Sequence, residues 1–208
     1  MPFIMDKKKS ALWIKIFSAI LAITFIGGMV VFFVSPFLGA KGTNMPVASQ
    51  LDQQEQKYYD DARMYEAMVS RSSTDTTALV NLGNTYYDWG AYLAFQKKDD
   101  KGAVDKWTKA IDAYSKALKL DPENTYVKTD LGALYLYLNN PLEAKKLWNE
   151  VLSKVPTAPQ ALYNMGLVHK VLNETTESIK YFEEYLRLYP NDPSAQQAKK
   201  FLEELKKK

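Results

Sequence analysis

The most uneven stretch of hydropathy lies near the start of the chain. Residues 16–34 read IFSAILAITFIGGMVVFFV, nineteen residues with no charge, broken only by the hydroxyls of Ser18 and Thr24. A helix of that length at ~1.5 Å per residue spans close to the ~30 Å of bilayer hydrocarbon, so the pattern predicts a transmembrane anchor. Lys7, Lys8 and Lys9 precede it, and only Lys41 follows closely. That bias predicts that residues 1–15 stay in the cytoplasm and that the rest lies outside the cytoplasmic membrane, a single-pass arrangement. The apolar run exceeds the ~7–15 residues of a cleaved signal, and Leu38 before Ala40 makes a mediocre cleavage site. Residues 35–48, rich in Pro, Gly and small polar residues, read as a linker.

Beyond the linker the apolar residues recur at helical spacing, and the fold class is all-α. Leu51, Tyr58, Ala62, Tyr65 and Val69 share one face of a helix over about 49–71, within an N-terminal segment 49–75. Val104, Trp107, Ile111, Tyr114 and Leu118 follow one another by three, four, three and four residues, a single stripe. Ala195, Ala198, Phe201, Leu202 and Leu205 mark a closing helix within 193–208 that ends in a lysine run.

Between these helices the chain repeats itself. One segment holds Leu79, Leu82-Gly83, Tyr86, Trp89-Gly90, then Ala110, Tyr114, Ala117-Leu118 and Pro122. A second holds Leu131-Gly132, Tyr135, Asn139, Ala144, Trp148, Val151-Leu152 and Pro156, and a third Leu162, Met165-Gly166, His169, Asn173, Ser178, Phe182, Tyr185-Leu186 and Pro190. Gly132 and Gly166 are 34 residues apart, as are Pro122, Pro156 and Pro190. A period of this size marks stacked units that cannot bury their apolar faces alone.

The pattern resembles the tetratricopeptide repeat over residues 76–192. The resemblance implies a right-handed α-solenoid of helix hairpins: 76–124, 125–158 and 159–192, followed by the cap 193–208. Small Gly83, Gly132 and Gly166 let the two helices of each hairpin approach, with Ala110 and Ala144 opposite, and the prolines end each second helix. Lys128, His169, Ser178 and Tyr185 depart from the family pattern. The first repeat carries fifteen extra residues between Gly83 and Ala110. Tyr86, Trp89 and Leu93 continue the first helix, and the turn falls within Lys97–Gly102, so the surplus predicts about two added turns on each helix.

Charge and chemistry narrow the function. The lysines at 7, 8, 9 and 15 against Asp6 account for the whole formal net charge of +3, which leaves the remainder neutral. A neutral domain without a basic stripe lacks the electrostatic term that drives nucleic-acid binding. There is no cysteine and only one histidine, His169, which excludes a Cys-based zinc site and leaves no second imidazole for a metal. No phosphate loop, nucleophile set or cofactor motif is present, so neither an enzyme nor a cofactor is expected.

What remains is a binding surface. In the family resembled, the first helices of the hairpins line a concave groove. Carried over, that groove is lined by Asn81, Asn84, Tyr87 and Asp88, by Tyr126, Asp130 and Tyr137, and by Tyr163, Asn164, Leu167 and Lys170. Asn both donates and accepts hydrogen bonds, and Tyr offers flat apolar area with a polar tip, which suits a protein or peptide ligand. The positions that form the family's carboxylate clamp hold Val80, Asn84, Asp130, Gln160 and Asn164; only Asn84 conforms, and Asp130 repels a carboxylate. The expectation is a membrane-anchored scaffold for envelope complex assembly. The alternatives are an accessory subunit of a membrane enzyme or transporter complex, and an assembly factor resembling the repeat proteins of cytochrome c maturation. Limited proteolysis tests the elongated hairpin: cutting confined to the turn supports it, and ready cutting throughout 90–104 contradicts it.

Overall fold

The computed structural model describes residues 51–207, all helix, turn and loop. The predicted cytoplasmic segment, anchor and linker lie outside the described residues. Among the described residues, no helix is long and apolar enough to cross a membrane. Eight α-helices follow in order within them: α1 Gln53–Arg71, α2 Thr76–Tyr92, α3 Asp100–Leu120, α4 Thr125–Tyr137, α5 Pro141–Lys154, α6 Pro159–Val171, α7 Thr175–Leu188 and α8 Ala195–Lys206. Helices α2–α3, α4–α5 and α6–α7 pair as hairpins, α1 packs on α2, and α8 packs on α7.

Local chemistry sets the ends. The carboxylates of Asp52, Asp75 and Asp99 and the amide oxygen of Asn124 accept first-turn backbone N–H groups, while α5 and α6 begin on Pro141 and Pro159. Helices α3, α5 and α7 stop at Asp121, Val155 and Tyr189, whose φ angles of −130°, −128° and −129° have left the helical region. Each precedes a proline, whose ring disfavours the helical conformation in the residue before it. The turns of the hairpins take a positive φ at Lys98 (59°), Asn139 (58°) and Asn173 (59°). Asn tolerates this conformation well; Lys98 occupies it in the hairpin that departs from the repeat.

Each hairpin is closed by an aromatic ring seated on a helical glycine. A Cβ added to Gly132 would meet the Trp148 ring at 2.6 Å, and one on Gly166 the Phe182 ring at 2.6 Å. On Gly83 it would collide with the Tyr114 ring in the same way. The close approach predicted at these glycines is therefore to the ring of the second helix, with Ala110 and Ala144 fully buried beside it. Trp148 is fully buried, and its indole N–H donates to the Thr129 carbonyl at 3.0 Å.

The first hairpin repeats the device. Gly90 seats the Trp107 ring so closely that no methyl would fit between them. Gly90 lies seven residues after Gly83, and Trp107 seven before Tyr114, so the antiparallel register continues unbroken into the extension. The α2 helix has 17 residues and runs into a five-residue π-helical turn, Leu93–Lys97, while α3 has 21; the other hairpins have arms of 13 and 14. One heptad on each arm uses fourteen of the fifteen surplus residues, and the wider π-helical turn absorbs the remaining one. The turn itself narrows to Lys98 and Asp99, because Asp100–Gly102 are already helical. On α3 the buried stripe is Ala103, Trp107, Ala110, Tyr114 and Ala117, whereas Val104 of the expected stripe is 46 % exposed. Small alanines, not the larger Val, fit the narrow space beside the glycine helix.

The overhang is covered on one side by α1. Tyr58 stacks on Trp89 at 6.4 Å and meets Tyr92 at 6.0 Å, and Tyr59 meets Trp89 edge-on at 6.5 Å. Asp52, at the start of α1, accepts hydrogen bonds from Tyr92 (2.7 Å) and Lys97 (3.0 Å). Backbone N–H donation from Glu55, then these two donors, hold the Asp52 carboxyl far below its ordinary range. The helix begins at Gln53, a few residues later than the apolar pattern places it, because Asp52 caps it there.

The departures from the repeat pattern have local partners. Lys128 pairs with Glu150 at 2.7 Å. Ser178, fully buried, donates to the Gly166 carbonyl at 2.8 Å. Tyr185 donates to Asp192 at 2.5 Å, and Asp192 also accepts the Ser194 N–H, so an aromatic where the family has Ala fixes the entry to α8. Ala195, Ala198 and Leu205 are the buried residues of that helix.

Gly132→Ala tests the ring-on-glycine contact. Alanine favours a helix by up to about 1 kcal/mol over glycine, but overpacking costs about 1–3 kcal/mol. Chemical denaturation is expected to show net destabilisation, and Trp148→Ala a loss of about 3–5 kcal/mol. A more stable Gly132→Ala protein contradicts the contact.

Candidate functional site

The groove positions expected from the sequence all lie on the first helices of the hairpins. Asn81, Asn84, Tyr87 and Asp88 lie on α2, Tyr126, Asp130 and Tyr137 on α4, and Tyr163, Asn164, Leu167 and Lys170 on α6. None of these side chains is fully buried.

At the junction of α2 and α4 a polar cluster forms. Tyr114, reaching across from α3, donates to Asn84 Oδ1 at 2.6 Å, which leaves the Asn84 amide N–H₂ free to donate. Tyr87 and Tyr137 meet with ring centroids 6.2 Å apart. Burial, with Tyr137, Asp130 and Tyr114 nearby, pushes the Tyr87 hydroxyl well up from its ordinary value. Burial raises the Tyr114 hydroxyl likewise, with the charges of Asp130 and Asp88 adding to it. Asp130 is pushed up from 3.8 to about 6, mainly by burial and secondarily by the charge of Asp88. Partial burial also raises Asp88.

The tyrosines divide by role. Tyr126 is 85 % exposed and stands clear of the core, whereas Tyr163 sits edge-on to Phe182 (5.9 Å) and Tyr185 (5.4 Å). Tyr137 does both: it stacks on Trp107 at 5.1 Å yet remains 43 % exposed. Leu167 packs against the core under α8. Lys170 is drawn towards α8, its ammonium 4.4 Å from the Phe201 ring centre and 3.8 Å from Glu204. It therefore offers little free charge to the α2–α4 part of the surface.

Two contributors escape sequence reasoning. Phe95, 54 % exposed on the overhang, meets Tyr137 edge-on at 6.1 Å. The overhang has no counterpart in the repeat pattern, so no groove position points to it. Val155 and Ala158 belong to the connection between hairpins, Pro159 opens α6, and none of the three holds a groove position either. They combine with Tyr126, Thr129, Asp130 and Gln160 to line a cavity of about 290 Å³ between the second and third hairpins.

His169 is buried, stacks on Tyr181 at 5.2 Å, and places Nδ1 2.5 Å from Glu174, which also accepts from Lys145 at 2.7 Å. Burial lowers its imidazole below the ordinary value, against the pull of Glu174. It ties the turn before α7 to α5 and α6. Among the described residues, no group of His, Asp and Glu is arranged to hold a metal.

Comparison with known proteins bears on the hairpins. Residues 129–193 match the family model described as tetratricopeptide repeat. The chain is 32 % identical over 77 residues to the RNA polymerase-associated protein CTR9 of Caenorhabditis elegans, covering 37 % of this chain and 6 % of that protein. It is 39 % identical over 67 residues to the aspartyl/asparaginyl beta-hydroxylase of Homo sapiens, covering 32 % and 9 %. The chain thus spans less than a tenth of the length of either relative. Among solved structures it resembles MamA with a TM-score of 0.55 at 16 % identity, over 79 % of this chain and 95 % of that one, a likeness of fold.

Asp130 makes the cluster testable through pH. Its carboxyl binds a proton more tightly in the folded chain than in the unfolded one. Its contribution therefore turns against folding as pH rises from 3.8 to about 6 and stays unfavourable above. Asp130→Asn is expected to stabilise the protein by about 1–2 kcal/mol at pH 7.5 and by little at pH 4, read from denaturation midpoints. A pH-independent difference contradicts this environment. The match to the tetratricopeptide repeat model thus falls on the second and third hairpins, over residues 129–193, and the likeness to MamA is one of fold.

Proposed function

We propose that the chain is a membrane-held scaffold that recruits a protein or peptide through the face formed by α2, α4 and α6, and that it performs no chemistry of its own. The observation that carries this reading is Tyr126. A tyrosine 85 % exposed at the mouth of a 290 Å³ cavity, with Asn84 and Asp88 also exposed on the neighbouring helix, contributes almost nothing to the fold and much to a partner. An anchor at 16–34, preceded by Lys7–Lys9, would hold this face at a membrane, on the extracytoplasmic side if the charge bias governs. A role in envelope complex assembly follows from that placement. Accessory subunit and assembly factor remain the alternatives, separated by exchanging residues 16–34 for an unrelated membrane helix: recruitment through the repeats survives the exchange, recruitment through the anchor does not.

A photo-crosslinking side chain placed at 87, 126 or 163 is expected to capture a defined protein in cells. The triple variant Asn84→Ala, Tyr126→Ala and Tyr163→Ala should weaken that capture at least about tenfold, because a few central aromatic and polar contacts dominate such interfaces. Unchanged capture by the folded triple variant rules out this face. A reporter fused after Lys208 gives the side of the membrane: activity specific to the cytoplasm contradicts the proposed topology.

A further inference from the structure

The recruiting surface has a sign. Asp88 on α2 and Asp130 on α4 lie close enough for the charge of one to act on the other. Neither forms an ion pair or a side-chain hydrogen bond among the described residues, although eleven ion pairs of Lys or Arg occur elsewhere among them. Tyr87 lies near Asp130, its ring meets that of Tyr137, and Tyr137 in turn meets Phe95, with Tyr137 and Phe95 both substantially exposed. Carboxylates with adjacent aromatic faces complement a cation, through charge-assisted hydrogen bonds and ring quadrupoles together. Asp130 also lines the cavity whose other walls include Tyr126, Val151, Val155, Pro159 and Ala161, and that lining contains no other charged residue.

We propose that this groove takes an extended peptide segment of a partner protein, placing an Arg or Lys side chain between Asp88 and Asp130 and a neighbouring apolar side chain in the Tyr126–Val155 cavity. This rests on the groove reading above and adds the chemistry of the partner. It is opposite in sign to a surface that grips a terminal carboxylate. The cation offsets the mutual repulsion of the two aspartates, so around pH 6 and below binding releases the proton that their proximity and burial retain there. The titratable groups near Asp130 are Asp88 and Tyr87 from α2 and Tyr114 from α3. Burial pushes the Tyr87 and Tyr114 hydroxyls further up, out of the relevant range, so Asp88 and Asp130 govern the pH response.

The test uses the full-length protein and three fluorescent Ser/Gly peptides that differ only at the central residue, Arg, Gln or Glu, with a Leu two residues away. Fluorescence anisotropy is expected to rank Arg above Gln and Gln above Glu, with Arg favoured over Glu by at least about tenfold at pH 7.5. The preference should shrink below about pH 6, where Asp130 takes up its proton. The isosteric double variant Asp88→Asn and Asp130→Asn should bind all three alike, with thermal melting showing that it is folded. Equal binding of the three peptides by the native protein overturns the charge assignment while leaving the groove reading intact. Absence of binding by all three also overturns it, and the crosslinking of the triple variant then judges the groove independently. A preference that persists in the double variant places the cation elsewhere and is equally fatal to the assignment.

Discussion

The face formed by α2, α4 and α6 depends throughout on an aromatic ring resting on a helical glycine. Gly83 with Tyr114, Gly90 with Trp107, Gly132 with Trp148 and Gly166 with Phe182 are four copies of one contact. A glycine lowers helix propensity by about 1 kcal/mol, so its presence mid-helix requires a compensating gain. Here the gain is a flat, buried ring that brings two helix backbones together at a fixed height. The height decides which residues of α2, α4 and α6 face outward. A shift of one residue in either arm would move the rings off the glycines and turn Asn84, Asp88 and Asp130 away from their shared surface.

The same contact explains the unusual first hairpin. Lengthening both arms by seven residues returns each helix to nearly the same face after two turns, so a second Gly–aromatic pair falls into place. A surplus that did not return each helix to nearly the same face would have left Trp107 without a seat. The consequence for the surface is local. The overhang carries Phe95 beside Tyr137 and presents Trp107 as a platform for the Tyr137 ring, which enlarges the aromatic surface around Tyr137. On its other side α1 covers Trp89, and Asp52 ties the tip down through Tyr92 and Lys97.

Much of the fold is legible in the sequence because the determining residues recur with a period. Gly132 and Gly166, with prolines at 122, 156 and 190, define helix ends and close approaches that the backbone angles before each proline reproduce. Periodicity carries less information about which side of a stripe is innermost. Apolarity alone places Val104 inside, yet Ala103 is the residue that fits against α2. The site is less legible still. Groove positions transferred from the repeat pattern point to the right helices but do not separate exposed Tyr126 from Tyr163, whose ring is held by Phe182 and Tyr185 across the hairpin. Lys170 reads as a groove cation by position, but α8 supplies Phe201 and Glu204 to engage it. Such distinctions depend on contacts between elements distant in sequence, and a position within a repeat does not encode them.

If the ring-on-glycine contacts are separate latches, each holds its own section of hairpin. Amide hydrogen exchange on the native protein and on a Trp107→Ala variant tests this most directly. Protection is predicted to fall in residues 90–106, beyond the Gly83–Tyr114 latch, while α4 to α7 retain theirs. Unchanged protection in the overhang, or a uniform loss across all three hairpins, would contradict it.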